Sequence, residues 1–139
     1  MIVLDTNVIS ELMRPVPNRS VVEWADAQQI KTLFITSITI SEILFGVEAL
    51  PTGKRKSRLR TFASGLAGIF EERILPFDVD AAILYAPMAA TARKQGLGLS
   101  IADGYIAAIT AAHGFMIATR DTAPFASVGL EVIDPWAAR

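Results

Sequence analysis

The sequence predicts an α/β fold: a mostly parallel central sheet of four to five strands with helices on both faces. Three observations predict it. Short apolar runs such as Ile2-Val3-Leu4 lack a polar–apolar alternation, which is how strands buried on both faces read. These runs alternate with longer stretches carrying helical spacing and helix caps, the βα alternation that builds parallel sheets. The runs also end in acids or small polar residues, at the sheet edge where ligands collect in such folds.

Taken in order, residues 2–4 form the first strand and run straight into Asp5-Thr6-Asn7. A short helix over 8–13 stops before Pro15 and Pro17, which cannot continue it. Asn18 or Ser20 caps a second helix reaching about residue 29, with Val21, Val22, Trp24, Ala25 and Ala27 partly facing inward. Residues 32–36, TLFIT, are rich in β-branched and aromatic side chains and read as the second strand. A helix over 39–50 ends at Pro51 and Gly53, and another over 57–70 carries Leu59, Phe62, Leu66 and Ile69 at helical spacing. Residues 73–77 are a short strand. Asp78 or Asp80 caps the next helix to about residue 95, where Pro87 is expected to kink or split it. Ser100 caps an apolar helix over 101–112, closed by His113 and Gly114, and strands follow at 115–119 and 131–133.

At 139 residues the chain reads as one domain, large enough to bury a core without staples. Its apolar fraction of 52% and mean hydropathy of +0.41 are high, yet no run reaches the roughly eighteen residues of a membrane span. The opening residues lack the basic start and cleavage site of a signal peptide, so a cytoplasmic protein with a buried oligomer interface is expected. The absence of cysteine excludes disulfides and thiolate metal sites. A net charge of −1 gives no global attraction to nucleic acid, but Lys54, Arg55, Lys56, Arg58 and Arg60 place five of the thirteen bases in one short stretch. Such a patch either holds phosphates or is the solvated start of a helix.

The acids are more informative. Asp5 ends the first strand, Glu42 and Asp103 fall in the first turns of predicted helices, and Asp121 ends the strand before Thr122. Each has a structural reading: Thr39-x-x-Glu42 is a capping-box pattern, Ser100-x-x-Asp103 resembles one, and Asp121 can cap the turn after it. Asp5 resists such a reading, because an acid following a buried strand is costly unless paired, bonded or metal-bound. If the four meet, two carboxylates about 4 Å apart repel by about 4 kcal/mol at an effective dielectric of 20. The cluster must then hold protons or a cation, and all-oxygen ligands select a hard ion, Mg²⁺ or Mn²⁺.

The strings Leu4-Asp5-Thr6-Asn7-Val8-Ile9-Ser10-Glu11, Ser41-Glu42, Ala102-Asp103-Gly104-Tyr105-Ile106-Ala107-Ala108 and Ala118-Thr119-Arg120-Asp121-Thr122 together resemble the PIN-domain ribonucleases. Their nearest branch is the VapC/FitB-like toxins of bacterial toxin–antitoxin pairs, and the Pro135-Trp136 ending fits it. The resemblance covers essentially the whole chain and implies a PIN-like three-layer sandwich spanning 1–139. By position, Asp5, Glu42, Asp103 and Asp121 match the family's catalytic, metal-binding acids, and Thr6, Asn7 and Thr119 its supporting polar residues. The sequence departs from the family at Pro124, where many relatives carry an acid and have Asn in place of Asp121. The resemblance further implies Mg²⁺- or Mn²⁺-dependent hydrolysis of RNA, homodimerisation and a small antitoxin that blocks the acidic groove.

Arg120, Lys54, Arg55 and Lys56 are candidate phosphate contacts. With no cysteine, and with the single His113 explained by a helix C-terminus, no side-chain nucleophile stands out and a metal-activated water is expected to attack. Two other classes remain: a magnesium phosphatase of the haloacid dehalogenase type, which would need an Asp where Asn7 stands, and a non-catalytic module whose acidic groove binds a basic partner.

Overall fold

The computed structural model describes residues 1–137. Five parallel strands, β1 (Ile2–Leu4), β2 (Leu33–Thr36), β3 (Ile74–Leu75), β4 (Met116–Ala118) and β5 (Val132–Ile133), lie in the order β3-β2-β1-β4-β5. Seven helices cover them: α1 (Thr6–Leu12), α2 (Arg19–Asp26), α3 (Ser37–Glu48), α4 (Lys54–Ile69), α5 (Val79–Lys94), α6 (Ile101–His113) and α7 (Thr122–Ser127). None of the described helices is long and apolar enough to cross a membrane.

The period-2 direction of strand side chains makes the three layers. In β1, Ile2 and Leu4 enter one core with Val8, Ile9, Val21, Ile43 and Leu66, beneath α1 to α4. Val3, between them, enters the other core with Ile106, Ile109 and Phe125, beneath α5 to α7. β4 repeats the division, Ala118 in the first core and Ile117 in the second. Continuous apolar strands are thus required, since both faces are covered.

The chain leaves β1 for β2 and β3 on one side, then crosses to β4 on the other. The boundary between β1 and β4 is therefore a topological switch point, where a crevice opens beyond the carboxyl ends of the strands. Asp5 follows β1 and Thr119 follows β4, both at that crevice.

Several expectations are corrected. α1 begins at Thr6 rather than 8, because the Asp5 carboxylate caps it. α2 ends at Asp26 and leaves Ala27 exposed. α3 starts at Ser37, capped by Thr36, and α4 starts at Lys54, so the basic stretch is helical from its first residue. α4 buries Ala63 and Leu66, with Phe70 buried just after its end, while Phe62 and Ile69 are 40% and 51% exposed. α5 runs through Pro87 without splitting. Pro87 and Ile83 are both exposed, so the carbonyl that loses its helical donor is not sealed inside the protein. α7 was not expected, because Pro124 reads as a breaker; it falls in the first turn, where a helix needs no backbone N–H.

Candidate metal centre

Asp5 is almost fully buried, 3% exposed. Its Oδ1 accepts the Thr6 backbone N–H at 2.8 Å, and its Oδ2 accepts the Thr119 hydroxyl at 2.7 Å. Asn7 donates its amide to both Asp5 Oδ2 at 3.4 Å and Thr119 Oγ1 at 3.2 Å. The Thr119 oxygen also accepts the Asp121 backbone N–H at 3.1 Å. The strand ends of β1 and β4 are therefore laced together by one hydroxyl and one amide. Asn7 holds the position where a dehalogenase-type phosphatase would need its second Asp, and its side chain is engaged in this bracing.

Glu42 departs from the capping-box expectation. Thr36 is the cap of α3 and accepts the Thr39 N–H at 3.1 Å, leaving Glu42 in the second turn. Its Oε1 instead accepts the Thr6 hydroxyl at 2.7 Å. Thr6 Oγ1 lies 3.0 Å from Thr39 Oγ1, and the Thr36 hydroxyl donates to Thr39 at 3.4 Å. Each hydroxyl has one proton. With the Thr6 proton on Glu42, Thr39 must donate to Thr6, and the chain runs in one direction: Thr36 to Thr39 to Thr6 to Glu42. Thr36 and Thr39 were not singled out in the sequence; their burial at 0% exposure is a tertiary fact.

Asp103 sits in the first turn of α6, whose cap, Ser100, accepts the Asp103 N–H at 3.1 Å. That cap uses the Asp103 backbone and leaves its carboxylate facing the groove. Asp121 precedes α7 and makes no side-chain cap there. Asp5, Glu42, Asp103 and Asp121 all line one open groove of about 610 Å³, together with Thr6 and Asn7.

The electrostatics couple the four. Burial pushes the Asp5 carboxyl up to about 6; the Thr119 hydrogen bond opposes this, the Asp103 charge adds to it, the Thr6 N–H opposes it and the Glu42 charge adds again. Burial likewise raises Asp103, opposed by Ser100 and reinforced by the charges of Glu42 and Asp121. Among the described residues none of the four is ion-paired to a base. Among the described residues no three acidic or histidine side chains stand close enough together to form a ready-made ion cage. Oxygen donors alone, oriented by hydroxyl and amide donors and short of positive charge, fit a hard divalent ion.

Of the candidate phosphate contacts, Arg55 and Arg120 line this groove, as does Arg14. Lys54 does not, and Lys56 donates to the Glu48 carbonyl at 3.0 Å. Arg60 pairs with Glu48 at 3.1 Å, so two residues of the basic stretch, Lys56 and Arg60, anchor α4 on the end of α3.

A parallel α/β sheet with acids lining the crevice at its switch point is the arrangement of a PIN-type nuclease domain. This chain belongs to the PIN-domain family, whose family model matches residues 2–130. It is 51% identical over 141 residues to "VapC ribonuclease Y4jK" of Sinorhizobium fredii, covering 98% of each chain. It is 42% identical over 137 residues to "Toxin FitB" of Neisseria gonorrhoeae, covering 98% of this chain and 99% of that one. The solved "Structure of FitAB bound to IR36 DNA fragment" superposes with a TM-score of 0.93 at 41% identity, covering 100% of this chain and 98% of that one.

Proposed function

We propose that residues 1–139 form one nuclease unit, an endoribonuclease toxin that hydrolyses RNA phosphodiester bonds in the cytoplasm and is neutralised by a cognate antitoxin. The observation that carries this is the convergence of four acids from four separate elements on one groove without a basic partner. The relatives' printed names, a VapC ribonuclease and a FitB toxin, support the activity and the toxin role.

Asp5, Glu42 and Asp103 would hold Mg²⁺ or Mn²⁺, with Asp121 completing the set. When bound, the ion supplies a water of lowered pKa and positive charge facing the phosphate. The chain's own residues do the rest. Thr119 and Thr6 fix the rotamers of Asp5 and Glu42 by donating a hydroxyl proton to one oxygen of each carboxylate. Asn7 keeps Asp5 and the β4 end in register, and the absence of a basic partner leaves the carboxylates free to take up a cation.

Antitoxin binding is supported by a second groove of about 570 Å³ that continues from the acids through Thr6, Ser10 and Glu42. Its walls are Met13, Ile43, Val47, Leu50 and Leu59, with Arg55 and Arg58 at its side, an apolar channel fitted to a partner helix. Homodimerisation is supported by Val79, Ile83 and Ile101, which are 73%, 65% and 66% exposed.

The test is cleavage of an RNA panel by purified, antitoxin-free protein in EDTA, with Mg²⁺ or Mn²⁺ then restored. Cleavage that stops in EDTA and returns with the metal is expected. Cleavage indifferent to EDTA, or none with either metal, would overturn the reading.

A further inference from the structure

We propose that Arg120, seated on the indole of Trp136, grips a phosphate of single-stranded RNA beside the scissile bond, and that Trp136 is the residue that positions this grip. The inference rests on the nuclease reading above and adds to it how the strand is placed.

Arg120 lies between Thr119 and Asp121 at the carboxyl end of β4, and both it and Trp136 line the acidic groove. Its backbone N–H donates to Asn7 Oδ1 at 3.3 Å. Asn7 is the residue whose amide braces Asp5 and Thr119, so the Arg120 main chain is registered directly to the acids.

Its guanidinium does not turn toward them. The guanidinium carbon sits 5.3 Å from the centre of the Trp136 ring, and among the described residues it forms no ion pair with the four carboxylates. Trp136 is itself held from two sides. Its backbone N–H donates to Asp134 Oδ1 at 2.9 Å, and its side chain packs against the core formed with β1 and α1 to α4. A cation on an anchored aromatic face loses much of its rotamer freedom. The planar fork is then presented with its donors at the rim, the geometry that suits a phosphate.

A polyanion crossing the groove meets Arg120 as the charge flanking the acids. Arg55 lines the same groove from α4, so a strand passing over the carboxylates meets a second base there. A scissile phosphate over the acids puts an adjoining phosphate at Arg120.

The probe is a fluorescently labelled single-stranded RNA oligonucleotide, bound in EDTA so that no cleavage intervenes, across a range of salt. Arg120→Gln should weaken binding about tenfold and lower the slope of log affinity against log salt by about one. Trp136→Leu should weaken binding severalfold although the charge remains, and Trp136→Phe should recover most of it. The rise in melting temperature caused by Mn²⁺ should persist in Arg120→Gln, because the carboxylates are intact. Should Trp136→Leu fail to fold, Arg120→Gln and Trp136→Phe still decide the question. Wild-type affinity and salt slope in Arg120→Gln would overturn the proposal alone, as would a defect confined to antitoxin neutralisation, which would assign Arg120 to the protein partner. Loss of the Mn²⁺ response in Arg120→Gln would make it a strut of the acid cluster and also overturn the proposal. A wild-type protein that neither binds nor cleaves RNA would remove this proposal and the nuclease reading together.

Discussion

Thr119 donates its hydroxyl to Asp5 at 2.7 Å across 114 residues of sequence. This contact joins the ends of the two strands that flank the switch point, and it opposes the burial that raises the Asp5 pKa. Thr119→Val keeps the shape and removes the donor. It should cost about 1–3 kcal/mol of stability, because Asp5 Oδ2 keeps only the long Asn7 contact and the Asp121 N–H loses its acceptor, and weaken Mn²⁺ binding about tenfold or more. Denaturant melts and a Mn²⁺ titration followed by melting temperature measure the two effects separately.

Asp103→Asn should abolish RNA cleavage while leaving the metal-free protein as stable as the wild type or more so. Burial and the charges of Glu42 and Asp121 all disfavour the Asp103 carboxylate, and the neutral amide removes that repulsion. The Ser100 cap accepts the backbone N–H of residue 103, which the substitution preserves. A cleavage assay beside thermal melts with and without Mn²⁺ checks this, and a variant that unfolds instead would give the Asp103 carboxylate a structural role.

The pH response follows from Asp5. Its carboxyl stands at about 6 in the folded chain against 3.8 ordinarily, so the folded state favours the protonated form. That contribution to stability is complete below 3.8 and is lost as pH rises through about 6, amounting to about 3 kcal/mol. Asp103 is shifted in the same direction. In EDTA the melting temperature should therefore fall between pH 4 and pH 7. Metal competes with the proton, so the stabilisation by Mn²⁺ should grow over the same interval. A metal-free melt that is flat or rising across it would contradict the buried, coupled carboxyl.

Thr39→Val interrupts the hydroxyl chain that ends on Glu42. Thr6 is then free to turn from Glu42, and the Mn²⁺ concentration for half-maximal thermal stabilisation should rise severalfold to about tenfold. Thr39→Ser restores the donor and should restore the response. Equal Mn²⁺ titrations for the Val and Ser variants would show that the hydroxyl chain does not govern Glu42.

Gly104→Ala tests how α6 holds Asp103. A Cβ at 104 would lie 2.8 Å from Cε1 of the Tyr85 ring, and that ring is wedged against Tyr105 at 4.8 Å. The overpacking should cost about 1–3 kcal/mol. Combining it with Tyr85→Ala should give less than the sum of the two single losses in denaturant melts.

The layers were readable because each depends on local pattern. The apolar run at Ile2, Val3 and Leu4 announces a strand covered twice, and Ser100 and Asn18 cap helices as expected. Asp5 was marked as a site residue by the cost of burying an acid, and it is buried. Glu42 was marked by its place after the second strand, and the capping-box pattern that competed with that reading does not form. α7 was hidden by Pro124, and Lys54 and Lys56 looked like phosphate contacts until α4 turned them out of the groove. Trp136 carried no local signal of its pairing with Arg120.

The sequence by itself determined the order of the five strands and of the helices other than α7, because hydrophobic periodicity and capping act over a few residues. Only the tertiary structure decided which charges share a groove and which hydroxyl serves which carboxylate. Coulomb forces and hydrogen bonds depend on distance in space, and the partners here, Thr6 with Glu42 and Thr119 with Asp5, meet only once the parallel sheet has brought the ends of β1, β2 and β4 to one edge.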